Sequence, residues 1–176
     1  WLADAEKENA TKVAGVALPH DWLSWQLQHS PGEAKDFSKL FSDRSEASGT
    51  GYFDPSTSTY KRDILALALR TEREINLPKI IRPAEFGGIT PSGVKIAPGA
   101  GDNAAAALGV QAQPGDVVVS LGTSGTAFAI SETPTHDASG AVAGFADATG
   151  RFLPLVCTLN AARILDAATR ILGKSH

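Results

Sequence analysis

The chain contains no methionine and one cysteine, Cys157, in 176 residues. A single thiol excludes an intramolecular disulfide and fits a reducing compartment. Cys157 itself reads as a small buried apolar residue in a strand. No apolar run approaches the roughly 20 residues of a membrane-spanning helix, and no signal-peptide pattern opens the chain. Basic charge is not in excess: 16 Lys and Arg stand against 19 Asp and Glu, a net charge of −3. That balance argues against nucleic acid or an anionic membrane surface as partner. Metal-ligand spacing is missing too, because His20, His29, His136 and His176 sit in unrelated local contexts. We therefore expect a cytoplasmic protein whose partners are small molecules. The start on Trp1 and the absence of Met lead us to expect an internal piece of a longer protein.

What is present is an ordinary globular composition, 43% apolar and 20% charged. It suffices for one solid core or two small ones. Residues 1–29 read as two helices: a mildly amphipathic one over Glu6–Val16, and one starting at Leu18-Pro19-His20-Asp21. Asp43, Arg44 and Glu46 read as a surface or interdomain salt-bridge group. Ser45 to Gly51 reads as a helical turn ending in a loop. Tyr60 to Glu74 has helical apolar spacing. Residues 77–98 carry Pro78, Pro83, Pro91 and Pro98 and form an extended connection, where we place a domain boundary. Beyond it the pattern predicts a short strand at Val94–Ala97 and an alanine-rich helix over Asn103–Val110. It then predicts a hairpin of Val117–Leu121 with Thr126–Ser131, and a strand near Gly150–Val156. Last comes an amphipathic helix over Leu159–Leu172, with Ile164, Leu165, Ile171 and Leu172 on its buried side.

Two segments carry candidate chemistry. In Gly99-Ala100-Gly101-Asp102-Asn103, the glycines let the backbone turn sharply and approach a ligand closely. Asp102 could accept a proton from a substrate hydroxyl or bind Mg²⁺ through water. It could equally cap the helix that follows. Asn103 adds a donor and an acceptor suited to sugar hydroxyls. In Leu121-Gly122-Thr123-Ser124-Gly125-Thr126, backbone N–H groups and hydroxyls suit an anion such as phosphate. The same residues also suit a plain hairpin turn. The Gly-Lys-Ser/Thr ending of a Walker A loop is absent. Gly99 to Ala104 also fits G-x-G-x-x-A, the loose dinucleotide fingerprint, but the following strand lacks the acidic residue at its end.

Together these segments resemble the FGGY carbohydrate kinases, with the xylulokinases as the nearest branch. The resemblance is carried by Leu18-Pro19-His20-Asp21-Trp22-Leu23, by Ser42-Asp43-Arg44-Ser45-Glu46-Ala47-Ser48-Gly49-Thr50-Gly51-Tyr52, by Pro98 to Asn103, and by Pro114-Gly115-Asp116 through Thr126. Their order and spacing match over nearly the whole chain. The resemblance implies an α/β fold of the ribonuclease H-like, actin/hexokinase type, with only part of each of two domains present. Residues 1–96 would be the C-terminal part of the first, sugar-binding domain. Residues 97–176 would be the N-terminal part of the second, nucleotide-binding domain.

By the same resemblance, Asp102 is the catalytic base and Asn103 a sugar contact. Gly122 and Thr123 contact the nucleotide phosphates, with Ser124 and Gly125 close by. ATP and Mg²⁺ are the implied cofactors, Mg²⁺ reaching Asp102 through water, and a homodimer is compatible. The implied reaction is phosphorylation of D-xylulose to D-xylulose 5-phosphate. Ribulose, rhamnulose, gluconate or glycerol are the alternative acceptors, with an NAD-dependent oxidoreductase or a non-catalytic sugar-binding relative further off. The family's N-terminal Asp-x-Gly-Thr loop, its His-Gly sugar motif and its adenine-binding segment are missing from these 176 residues. Gly88 to Val94 also joins the halves more abruptly than the family pattern implies. We therefore expect the isolated piece to be inactive.

Overall fold

The computed structural model describes residues 1–174; His176 lies outside the described residues. Two short helices, α1 (Leu2–Ala5) and α2 (Lys7–Ala10), open the chain. The helix expected over Glu6–Val16 ends early, because the backbone leaves the helical path to pair with a distant segment. Gly15 forms a bridge with Asn76, and the Val16 N–H donates to the Asn76 carbonyl. Helix α3 (Pro19–Leu27) starts where Pro19 predicts. Asp21 reaches back to accept the Leu18 N–H at 3.0 Å.

Strand β1 (Phe41–Ser42) leads into the single-turn helix α4 (Arg44–Ala47) and a 3₁₀ turn at Ser48–Thr50. The helical turn ending in a loop is therefore present. A small hairpin pairs β2 (Phe53–Asp54) with β3 (Thr59–Tyr60). Helix α5 (Arg62–Leu69) is shorter than the apolar spacing predicts, since Arg70 adopts a left-handed conformation that stops it. The proline-rich connection has more order than expected. Strand β4 (Lys79–Ile80) runs parallel to β1, and β5 (Gly88–Ile89) pairs with β6 (Lys95–Ile96) in a hairpin. The abrupt stretch at Gly88–Val94 is thus a tight, hydrogen-bonded turn, with the Thr90 N–H on the Val94 carbonyl at 2.9 Å.

Helix α6 (Asp102–Gly109) follows. The largest sheet comes next, with strands β7 (Val117–Leu121), β8 (Gly125–Ala129), β9 (Ala143–Ala146) and β10 (Phe152–Thr158) in the order β7-β8-β10-β9, all antiparallel. The hairpin of β7 and β8 was legible; β9 was not. Period-2 alternation turns Leu153 and Leu155 of β10 to one face with Phe128 of β8. That face packs on Ala104 and Ala107 of α6, whose small side chains let helix and sheet approach closely.

Two burial expectations fail. Helix α7 (Ala162–Ile171) forms as predicted but buries none of its residues. Ile164, Leu165, Ile171 and Leu172 are exposed, because no described element covers that face. Cys157 does lie in a strand, yet it is exposed rather than buried. It falls in the last part of β10, where the strand runs past the core.

Candidate active site

The site begins at the turn before α6. Gly99 sits at φ +89°, a left-handed conformation open to glycine at no steric cost. Asp102 is the first residue of α6, where an acidic group suits the helix dipole. Its Oδ1 accepts from the Asn103 N–H at 2.8 Å and from Asn103 Nδ2 at 3.0 Å. Asn103 Oδ1 in turn accepts from the Thr126 hydroxyl at 3.2 Å. Asp102 and Asn103 line a cleft of about 220 Å³ with Ser45, Glu46, Phe145 and Leu153 among its other walls.

The loop is anchored from the first half of the chain. The Gly101 N–H donates to Ser45 Oγ at 2.9 Å. Ser45 Oγ donates to Asp43 Oδ1, which also accepts from the N–H groups of Ser45 and Glu46 at 2.7 and 3.2 Å. Asp43 therefore caps α4. Its second oxygen faces His20 Nε2 at 3.2 Å, while His20 Nδ1 lies 3.1 Å from Asp21 Oδ1. The latter contact is an ion pair without hydrogen-bond alignment, since Asp21 Oδ1 has no hydrogen-bond partner. Asp21 and Asp43 are buried, at 1% and 5% exposure. Of the surface or interdomain salt-bridge group expected at Asp43, Arg44 and Glu46, Asp43 is buried and pairs with His20, while Arg44 and Glu46 are half-buried. Arg44 crosses to the second half, donating to the Arg151 carbonyl at 3.4 Å with its guanidinium 5.3 Å from the centre of the Phe152 ring.

Electrostatics follow from this packing. The hydrogen bond to Asp43 raises the His20 pKa; burial opposes it and the charge of Asp21 adds to it. Burial pushes Asp43 up, but hydrogen bonds from His20, Ser45 and the α4 backbone outweigh it and hold the carboxyl low. Burial raises Asp21. Burial also raises Glu46, and the negative charges of Asp43, Asp21 and Asp102 add to it while His20 opposes.

The glycine-threonine loop stands apart from the cleft. Gly122–Ser124 is the turn between β7 and β8, and the Gly122 N–H closes it on the Ser124 carbonyl at 2.9 Å. The Thr123 and Gly122 carbonyls accept from the N–H groups of Ala161 and Ala162 at the start of α7. Gly125 has to be a glycine: a Cβ there would lie 2.9 Å from that of Ala161 and 3.2 Å from Thr158 Cγ2. Its link to Asp102 runs through the adjacent Thr126 and Asn103.

Ser45, Glu46, His20 and Asp43 were not singled out from the sequence as parts of the site. The available signal was Asp43 followed at the third position by Glu46, a helix-start pattern. The dinucleotide alternative loses its basis: β6, the strand before the Gly99–Asn103 turn, pairs antiparallel with β5 and not with β7, so no parallel βαβ unit is built around α6.

Residues 1–109 match the model of the N-terminal domain of the FGGY family of carbohydrate kinases. The chain belongs to the FGGY family. Over 98% of its length this FGGY chain is 43% identical to the xylulose kinase of Streptomyces coelicolor. It superposes on the xylulose kinase of Bifidobacterium adolescentis with a TM-score of 0.87 and 44% identity, over 99% of its own length and 39% of that protein. The ADP-bound glycerol kinase of Plasmodium falciparum shares the fold, with a TM-score of 0.74 at 16% identity. The chain thus carries part of the ribonuclease H-like, actin/hexokinase-type fold of FGGY kinases. It spans 35% of the Streptomyces protein.

Proposed function

We propose that the full-length protein containing this FGGY chain is an ATP-dependent sugar kinase acting on D-xylulose, with Asp102 as general base. The observation that carries this reading is the Asp102 carboxylate, exposed at the head of α6 in a cleft, in a chain at least 43% identical to two xylulose kinases. A sugar hydroxyl is a poor nucleophile at neutral pH. Asp102 would take its proton as the hydroxyl oxygen bonds to the γ-phosphorus and ADP departs with the bridging oxygen. Asn103, already turned toward Asp102, would orient the sugar. Gly122, Thr123, Ser124 and Gly125 would lie along the nucleotide phosphates.

The described residues offer no group of three or more His, Cys, Asp or Glu that would cage a metal. One carboxylate together with phosphate oxygens is nevertheless the usual Mg²⁺ arrangement at nucleotides, and among the described residues both hydrogen bonds to the Asp102 carboxylate fall on Oδ1. Asp102 therefore fits Mg²⁺ through water, and the ion would offset phosphate charge. We place the division between sugar-binding and nucleotide-binding parts at residues 96 and 97. Support comes from the main buried cluster, which draws only on residues from Ala100 onward. The family match runs further, through α6.

The test is ADP release by the full-length protein over D-xylulose, ribulose, rhamnulose, gluconate and glycerol, beside its Asp102→Ala variant. Selective turnover of D-xylulose that falls by about 10²-fold or more in a still-folded variant is the expected result. Turnover surviving in the variant places the base elsewhere, and silence toward every acceptor removes the kinase reading. The 176-residue piece alone is expected to show no sugar-dependent ADP release.

A further inference from the structure

Capping α4 requires only Asp43, yet the structure places far more behind the loop. Asp43 is held on its far side by His20, and His20 is held in turn by Asp21. The His20 ring also faces the turn, lying 3.5 Å from where a Gly99 Cβ would stand. Neither His20 nor Asp21 touches the α4 backbone N–H groups that Asp43 caps. Their arrangement ends instead at the Gly101 amide, one residue before Asp102.

We propose that His20, Asp43 and Ser45 are positioning residues that hold the Gly99–Gly101 backbone so that the Asp102 carboxylate meets the substrate hydroxyl. This rests on the reading of Asp102 as the base. The logic runs through one proton. Ser45 has a single hydroxyl hydrogen and gives it to Asp43. Its lone pairs are then turned toward the Gly101 N–H. The Ser45 and Glu46 N–H groups hold Asp43 by one oxygen, and His20 on the second oxygen fixes the remaining rotation of the carboxylate. A charged His20 between two buried carboxylates leaves neither acid without a partner. The raised pKa of His20 is consistent with that charged state. The loop is thereby pinned by the hydroxyl on Gly101, with the His20 ring facing Gly99 beside it.

The experiment uses the full-length protein with D-xylulose and Mg-ATP. In His20→Ala, kcat is expected to fall by about 10- to 100-fold, the scale of a misplaced reacting group, with the KM for ATP unchanged. The double variant His20→Ala/Ser45→Ala is expected to lose no more than the worse single variant, because both act through one chain of contacts. A wild-type kcat in a folded but less heat-stable His20→Ala would overturn the proposal, as would losses that multiply in the double variant. If His20→Ala does not fold, Asp43→Asn decides, since it keeps a capping oxygen and gives up the charge. A lowered kcat there supports the proposal and a wild-type kcat overturns it. Asp102→Asn is measured alongside. Turnover persisting in that variant removes the base reading and the proposal with it, whereas loss there with an intact His20→Ala removes the proposal alone.

Discussion

The loop at Gly99–Asp102 and the loop at Gly122–Ser124 are both glycine turns linked to α6, but they are held in different ways. The first is hooked by a side chain from the other half of the molecule, Ser45, with Asp43 and His20 behind it. The second is clasped by backbone, its carbonyls accepting from Ala161 and Ala162. Side-chain anchoring through a buried polar chain fixes direction, which suits the role proposed for Asp102. A backbone clasp fixes the path of the chain, which suits the anion contact proposed for this loop.

The comparison breaks most severely at Gly125. Gly125→Val puts side-chain carbon into the contact with Ala161 and Thr158 and should cost about 3 kcal/mol of stability through overpacking. Thermal melting of the full-length protein reads this directly. An unchanged melting temperature would mean the clasp gives way easily. The matching change in the first loop is Ser45→Ala, which leaves the buried Gly101 N–H without its acceptor. The expected loss is about 2 kcal/mol, with faster hydrogen exchange at the Gly101 amide. Exchange no faster than in the wild type would show that the hook does not hold the loop.

The smallest effect is the dependence on pH, and it belongs to the first loop alone. The folded pKa of His20 lies above its unfolded value of about 6.5. Its stabilisation is therefore complete below that value and is lost as pH rises through the folded pKa. Asp21, Asp43 and Glu46 are the carboxylates acting on it; against burial, hydrogen bonds hold Asp43 low, whereas burial raises Asp21 and Glu46. Denaturant unfolding should show stability declining on the alkaline side, with a slope that flattens in His20→Gln. A slope that persists in that variant would place the titrating group elsewhere.

Much of the second half was legible because its signals are local. The glycine turn, the alanine run of α6 and the β-branched run of β7 each lie within a few residues. The anchoring of the first loop was not legible, since Ser45 and Gly101 lie 56 residues apart and His20 and Asp43 lie 23 apart. The Asp43–Glu46 spacing marks a helix start but says nothing of whether the cap is buried. Strand β9 escaped for a different reason: Ala143, Gly144 and Ala146 have little strand propensity, and it is pairing with β10 that makes them a strand. For α7 the amphipathic pattern was read correctly and the burial was not. Periodicity reports which face is apolar, and only neighbouring elements decide whether that face is covered.

The exposure of Cys157 has a practical consequence. Cys157 stands opposite Thr126 in the β10–β8 register, so the two side chains share a face of the sheet. Thr126 is the residue that touches Asn103. The one thiol in this stretch of chain is thus a ready attachment point for a fluorophore, its cross-strand partner two hydrogen bonds removed from the carboxylate of interest. A change in emission on adding sugar or nucleotide to the labelled full-length protein is a direct test of the proposed sites that alters no residue assigned to the chemistry.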